Sequence, residues 1–233
     1  MREIVLGIIP ARRNSIRVPN KNLKLLSGIP LIQYTVNAAK GASLIDKILI
    51  TTDSTEIINY FSSDDSVILH KRPKKLGLDK VEMYDVVYDV IKKYNSRLNP
   101  SILMLIQPTS PFRNSKHIDA AIRGLKKRQK CNSVVSVTKL DHRFMPQKLG
   151  VLDATEIRSL GMKKYIYNPN ILNKKNLYYR NGAIYGARVE KFIAKKTLLP
   201  NPVHGYEMEK EFSLDIDDSE DFHFAEFKLN GFK

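Results

Sequence analysis

The chain has 233 residues, with 39 Lys plus Arg against 24 Asp plus Glu, a formal charge of +15. That length closes a real hydrophobic core in one domain or two small ones, and 42% hydrophobic with 27% charged residues excludes wholesale disorder. Cys131 is the single cysteine and has no internal disulfide partner, no apolar run approaches the roughly 18 residues of a membrane helix, and the start of the chain lacks a signal-peptide cleavage site, so a soluble, cytoplasmic protein is expected.

The elements alternate from the start. Residues 4–9, 47–52, 67–69, 102–106 and 134–137 are short β-branched-rich runs, the pattern of buried strands. Residues 31–39 follow Pro30, a favoured first helical residue; Met83, Val86, Val87, Val90, Ile91 and Tyr94 recur at helical spacing. Ser115 is placed to cap a helix whose one face carries Ile118, Ala121, Ile122 and Leu125. Strands alternating with helices predict an α/β fold of three layers, with a mostly parallel sheet covered on both sides. Residues 139–176 break the rhythm: they are polar, irregular and interrupted by Pro146 and Pro169, yet carry Phe144, Met145, Leu149, Val151, Leu152, Tyr165 and Tyr167. This stretch reads as a surface excursion, a lid or a dimerisation arm on a single domain spanning 1–233. Strand patterns return at 182–187 and 212–216, and a helix closes the chain near 219–229.

The basic clusters at 71–75, 126–130 and 174–175 are scattered, and no zinc-ligand spacing, basic zipper or aromatic RNA-binding signature accompanies them. Neither nucleic acid nor a membrane is therefore the expected partner; small phosphorylated molecules, or a merely solvated basic surface, remain. The richest stretch is Pro10-Ala11-Arg12-Arg13-Asn14-Ser15-Ile16-Arg17-Val18-Pro19-Asn20-Lys21-Asn22. It follows the first strand, at the carboxyl edge where open α/β sheets bind ligands. Guanidinium forks match phosphate oxygens and lysine adds a mobile point charge. The loop is neither a Walker loop nor a GxGxxG loop, so its grip would rest on cations and loop amides.

Asp215-Ile216-Asp217 carries a second signal. In a strand, residues i and i+2 point the same way, so Ile216 would enter the core while both carboxylates face the cleft. Two hard oxygen ligands suit Mg²⁺ or Mn²⁺ together with substrate phosphates. The competing use is capping of the following helix by Asp217, Asp218 or Ser219.

The basic loop resembles the CTP-binding signature of the CMP-sialic acid synthetase family, the acylneuraminate cytidylyltransferases. The matching residues are Pro10-Ala11-Arg12, Ser15, Pro19-Asn20-Lys21-Asn22, Leu23, Gly28 and Pro30-Leu31-Ile32. Further family-like pieces follow in order: Thr51-Thr52-Asp53, Arg72-Pro73 with Asp79, Gln107-Pro108-Thr109-Ser110-Pro111-Phe112-Arg113, Asn181-Gly182-Ala183-Ile184-Tyr185 and Asp215-Ile216-Asp217. The resemblance implies that the anomeric hydroxyl of a nine-carbon 2-keto-3-deoxy sugar acid attacks the α-phosphate of CTP, giving a CMP-sugar and pyrophosphate. It implies catalytic roles for Arg12, Lys21, Asp215 and Asp217, with the two aspartates on a metal. It assigns the nucleotide to Ala11, Arg12, Ser15, Arg17, Lys21, Asn22, Arg72 and Asp79. It assigns the sugar to Gln107, Ser110, Tyr179 and Asn181, with Arg113 and Arg180 as candidates for the sugar carboxylate or for ordinary ion pairs.

The departures concern details. Ile16 stands where many members carry lysine, a charge that Arg17 can replace, and Val81 and Met83 follow Asp79 where small residues are frequent. His142, Pro146 and Lys148 match the arm motif of sialate members only with altered spacing. The resemblance implies a homodimer in which the arm borders the partner's sugar site, with N-acetylneuraminate, legionaminic or pseudaminic acid as acceptor. An octulosonate (KDO) cytidylyltransferase and a non-catalytic polyanion-binding protein are the alternatives.

Overall fold

Six consecutive buried residues open the fold as β1 (Val5–Pro10), and their alternation sets the layers. Val5 and Ile9 pack into one core, Leu6 and Ile8 into another, on the opposite face of the sheet. The computed structural model describes residues 3–15, 17–141, 144, 149–153, 156–159 and 177–231. Ile16, His142, Met145, Pro146, Lys148, Tyr165, Tyr167 and Pro169 lie outside the described residues.

After β1 come a small hairpin, β2 (Leu25–Leu26) with β3 (Ile29–Pro30), and then α1 (Leu31–Lys40), β4 (Lys47–Thr52), α2 (Thr55–Tyr60) and β5 (Val67–Lys71). The chain continues through α3 (Met83–Leu98), β6 (Ile102–Ile106), α4 (Ser115–Lys127) and β7 (Ser133–Lys139). A two-stranded ribbon, β8 (Gly150–Asp153) and β9 (Glu156–Ser159), precedes β10 (Tyr178–Arg188), α5 (Val189–Lys195), β11 (Val203–Glu207) and α6 (Ser219–Asn230). The main sheet of the described residues has seven strands in the order β11-β7-β10-β6-β1-β4-β5. β10 runs antiparallel to both its neighbours and the other pairings are parallel. The three-layer, mostly parallel α/β architecture expected from the sequence is present.

Helical spacing explains the outer layers. Ile32, Val36 and Ala39 of α1 and Ile118, Ala121, Ile122 and Leu125 of α4 cover one face, against Val5, Ile9, Ile48, Ile50, Met104 and Ile106. Val87, Val90, Ile91 and Tyr94 of α3, with Val189 and Phe192 of α5, cover the other against Leu6, Ile8, Leu49, Leu103 and Leu105. A third cluster joins Leu26, Leu31, Ile216, Phe222 and Ala225, so that α6 and the β2–β3 hairpin lie together beside the carboxyl edge. No described helix is long and apolar enough to cross a membrane.

Three expectations are corrected, and three elements were not foreseen. Residues 212–216 form no strand: a 3-10 turn (Lys210–Phe212) precedes an extended run whose Ile216 N–H donates to Thr109 O at 2.8 Å. The cap of α4 is Asn114, not Ser115; Asn114 Oδ1 accepts from His117 N–H while His117 Nδ1 accepts from Asn114 N–H. The strand expected at 182–187 extends to Tyr178–Arg188, with a register irregularity between Arg180 and Tyr185. Finally, β11, α2 and α5 are too short or too polar to announce themselves by periodicity. In the segment 139–176, Leu140 N–H donates to Leu177 O at 2.8 Å, closing its base, and the β8–β9 ribbon exposes Val151 and Leu152.

Burial also fixes protonation. His70 and His117 are buried, and desolvation lowers their pKa values, with Asp89 and Glu209 pulling them partly back; His204 is lowered for the same reason, aided by Arg128. In the unfolded chain such groups titrate near about 6.5. As pH falls through that value the unfolded chain takes protons first, so this stability is whole above it and drains toward the lowered folded values. The thermal unfolding midpoint should be lower at pH 5.5 than at pH 7.5, with a smaller gap in His70→Asn; equal gaps in the two proteins would count against His70.

Candidate active site

The carboxyl ends of β1, β5 and β6 release loops that, with Asp215 and Asp217, build a cleft of about 280 Å³. Arg12, Lys21, Arg72, Asp79, Asp215 and Asp217 line it together with Ser15, Asn22, Gln107 and Thr109. Leu76, Leu78, Val81, Met83 and Val86 make one apolar wall. Val81 and Met83, which depart from the family pattern, are therefore part of the cleft itself.

The basic loop is shaped by its own side chains. Asn22 is buried and its amide donates to Arg12 O at 3.0 Å, while Asn20 takes a left-handed φ of 51° at the turn. Arg12 pairs with Asp79 across the cleft mouth. Arg13 N–H donates to Asp53 Oδ1 at 2.8 Å, and a Cβ on Gly77 would overlap that carboxylate, so Asp53 closes the β4 loop onto the β5 loop. Arg72 is buried, and desolvation lowers its pKa to about 10, leaving it charged at neutral pH.

The acidic side is built on the run between Ser213 and Asp218. Lys21 Nζ donates to Ile216 O at 2.6 Å and stands 3.9 Å from Asp217 Oδ1; burial lowers its pKa while Asp217 and Asp215 oppose the shift. Arg17 Nη2 lies 3.3 Å from Asp217 Oδ1. Asp215 is raised by burial, against a hydrogen bond with Thr109, and its Oδ1 is buried with no hydrogen-bond partner. Gly182 makes room for it. Its φ is +80° and a Cβ there would lie 2.7 Å from Asp215 Oδ2.

Capping and cleft duties are divided between neighbours. Asp218 Oδ1 accepts from Glu220 N–H and Asp221 N–H, and Asp221 Oδ2 accepts from the amides of Asp217 and Asp218. The side chains of Asp215 and Asp217 both line the cleft, although not through the strand alternation expected of them.

The remaining expected site residues divide in two. Arg12, Ser15, Lys21, Asn22, Arg72, Asp79, Gln107, Asp215 and Asp217 meet in the cleft, with Arg17 on Asp217. Ala11 is fully buried, and its N–H donates to Thr51 O at 2.9 Å. Ser110 is fully buried, with no partner for Oγ. Asn181 is buried behind the cleft, where its amide donates to Ser213 Oγ at 2.9 Å and its carbonyl accepts from Ser136 Oγ at 2.6 Å. Tyr179 and Arg180 are exposed at the start of β10, outside the cleft lining. Arg113 is buried with Nη1 donating to Gln107 O at 3.0 Å; desolvation lowers its pKa to about 9. Thr109 was missed, although it sits between Gln107 and Ser110 in the same motif.

Comparison with known proteins decides the family. A family model described as cytidylyltransferase matches residues 6–227. The chain belongs to the cytidylyltransferase family. It is 34% identical over 229 residues to the N-acylneuraminate cytidylyltransferase of Escherichia coli O18:K1:H7, covering 97% of this chain and 52% of that protein. The counterpart from Streptococcus agalactiae serotype V is 32% identical, over 92% of this chain and 51% of its own length. The chain thus spans about half the length of these relatives. The CMP-N,N'-diacetyllegionaminic acid synthase of Legionella pneumophila is 29% identical, over 95% of this chain and 94% of its own. The fold matches a CMP:2-keto-3-deoxy-manno-octonic acid synthetase solved with CTP at a TM-score of 0.72 and 15% identity, covering 98% and 99% of the two chains. A 4-diphosphocytidyl-2C-methyl-D-erythritol synthase matches at 0.68 and 8% identity, over 98% of this cytidylyltransferase-family chain and 100% of the other.

Proposed function

We propose that this chain transfers CMP from CTP to the anomeric hydroxyl of a nonulosonic acid, of the N-acetylneuraminic or legionaminic type, and releases pyrophosphate. The observation that carries the reading is the meeting of Lys21 and Arg12 with the Asp215–Asp217 pair in one cleft at the carboxyl edge. The names of the relatives support the nonulosonic acceptor, and the legionaminic acid synthase does so across 94% of its own length.

The reaction forms a bond from the sugar oxygen to the α-phosphorus and breaks the bond to pyrophosphate, so negative charge grows on the leaving group. Arg12 and Lys21 are the cations that meet it. In the free protein Arg12 is engaged by Asp79, and Asp217 by Arg17 and Lys21; phosphates entering the cleft exchange these partners. Ser15 and Asn22 line the phosphate side, and Arg72 and Asp79 stand by the apolar wall suited to a pyrimidine ring. Gln107 is left for the sugar.

The carboxylates fit a divalent cation. Asp215 Oδ1 is a buried oxygen without a hydrogen-bond partner, Asp217 shares the cleft, and no cluster of three His, Cys, Asp or Glu is present among the described residues. Such a pair suits Mg²⁺ or Mn²⁺, whose remaining positions are filled by phosphate oxygens and water. Held there, the ion would neutralise phosphate charge.

Residues 139–176 fit a dimerisation arm. Their base is closed at Leu140 and Leu177, and Phe144, Val151 and Leu152 are 58%, 55% and 69% exposed, more apolar surface than a solvated ribbon keeps uncovered. Pairing with a second copy gives a closed two-fold interface.

Incubation with Mg²⁺, each nucleoside triphosphate and a panel of nonulosonic and octulosonic acids tests the activity. CTP with a nine-carbon acid should yield the CMP-sugar and pyrophosphate; product only from the octulosonic acid, or none, would overturn the assignment. Asp217→Asn keeps the shape of the side chain and removes its charge. Turnover should fall by about two orders of magnitude or more with the melting curve retained, and undiminished turnover would remove Asp217 from the mechanism. Light scattering should give a dimer for the intact chain and a monomer when a short linker replaces 139–176; a fully active intact monomer would exclude the arm as interface.

A further inference from the structure

A chain of polar atoms leads from Asp89 of α3, 32% exposed at its side chain, through buried His70 and Thr51 to the cleft. Asp89 Oδ2 lies 3.3 Å from His70 Nε2, His70 Nδ1 lies 3.0 Å from Thr51 Oγ1, and Arg72 Nε lies 3.4 Å from the same Thr51 oxygen. Arg72 Nη2 donates to Thr51 O at 2.8 Å. Thr51 is fully buried and His70 is 1% exposed, so neither touches a ligand in the cleft that Arg72 lines. Parallel pairing makes the arrangement possible, because Thr51 of β4 and His70 of β5 stand in register as neighbours.

The donors and acceptors run in one direction. A carboxylate only accepts, so Asp89 fixes the imidazole proton on Nε2. Burial keeps the ring neutral, with Lys93 and Arg72 reinforcing that and Asp89 opposing it. Nδ1 is then a bare acceptor for the Thr51 hydroxyl proton, which leaves the Thr51 oxygen lone pairs to receive Arg72 Nε–H. The opposite tautomer would set an imidazole lone pair against the Asp89 carboxylate. The Tyr94 ring packs edge-on against His70, with centroids 5.7 Å apart.

We propose that Asp89, His70 and Thr51 form a relay that orients the Arg72 guanidinium for the nucleotide, making His70 and Thr51 positioning residues. Two of the three guanidinium nitrogens are held on Thr51, and the third serves the cleft. The relay rests on the reading of Arg72 as a nucleotide-binding residue.

Thr51→Val keeps the shape and deletes the hydroxyl, whereas Thr51→Ser keeps the hydroxyl. Titration calorimetry with CTP and Mg²⁺ should show affinity about tenfold weaker in Thr51→Val and within about twofold of the parent in Thr51→Ser. Arg72→Ala should weaken CTP at least as much as Thr51→Val, and the double variant should lose little beyond Arg72→Ala, since one effect acts through the other. A folding or packing role independent of Arg72 would make the losses add, and additive losses or parental affinity in Thr51→Val overturn the relay. If Thr51→Val does not fold, His70→Leu against His70→Asn reads the same contrast, because only Asn offers an acceptor near Nδ1. A parent protein that binds CTP no better than ATP would overturn the nucleotide reading and the relay with it. CTP preference and a strong Arg72→Ala effect beside a silent Thr51→Val would overturn the relay alone.

Discussion

The acidic half of the cleft depends on how Ile216 is held. Its side chain is fully buried with Leu26, Leu31, Phe222 and Ala225, its N–H is on Thr109 O, and its carbonyl accepts from Lys21 Nζ. Burying such a side chain is worth about 1.5–3 kcal/mol, and it anchors a stretch that no strand ladder supports. With Ile216 pinned inward, its neighbours Asp215 and Asp217 are carried to the cleft. One residue thus ties the basic loop, the Gln107-to-Arg113 loop and the cap of α6 to the same point.

The charges around this anchor differ in how firmly they are committed. Arg12 and Asp79 are 37% and 50% exposed at the side chain, Arg17 and Asp217 62% and 51%. Exposed pairs of this kind are worth about 0–1 kcal/mol, so exchanging them for phosphate oxygens costs little. Lys21, at 11%, is different: most of its hydration is already removed, and its carbonyl partner holds it in place before any ligand arrives. Asp215 is the most exacting member, a desolvated carboxylate with one unpartnered oxygen beside Asp217. The site thus combines loose peripheral pairs with a fixed, desolvated centre.

The layers were legible because buried parallel strands read as continuous apolar runs and covering helices as spaced ones. Ile102 to Ile106 and the stripe from Val86 to Tyr94 show both. Motif order along the chain pointed to the basic loop and Gln107, and both line the cleft. What resisted reading was tertiary. Residues 212–216 read as a strand, but Ile216 N–H finds its partner on a loop. Ser110 and Asn181, expected at the sugar, are both buried, and Asn181 bonds Ser136 and Ser213. Thr109, one position before Ser110, is the residue that lines the cleft. Which polar atom of a loop turns outward depends on contacts made by residues far away in the chain.

The same dependence explains why Thr51 could not be singled out from its own neighbourhood. Its carbonyl receives Ala11 N–H from the basic loop and Arg72 Nη2 from the β5 loop, while its hydroxyl oxygen contacts His70 and Arg72. Both backbone and side chain of one buried threonine therefore connect loops that enter the cleft from separate strands. Asn22, holding Arg12 O, and Asp53, holding Arg13 N–H, add further ties on the opposite side of the basic loop. Rigid strand ends can then set the spacing between the cations of the basic loop and Arg72, with little reliance on glycines. The acidic pair reaches the same space from a segment with its own anchor. The separation between cations and carboxylates then rests on the Lys21 bond to Ile216 O and on the packing of Ile216, Phe222 and Leu26, which is where a change in the core would be felt as a change in the cleft.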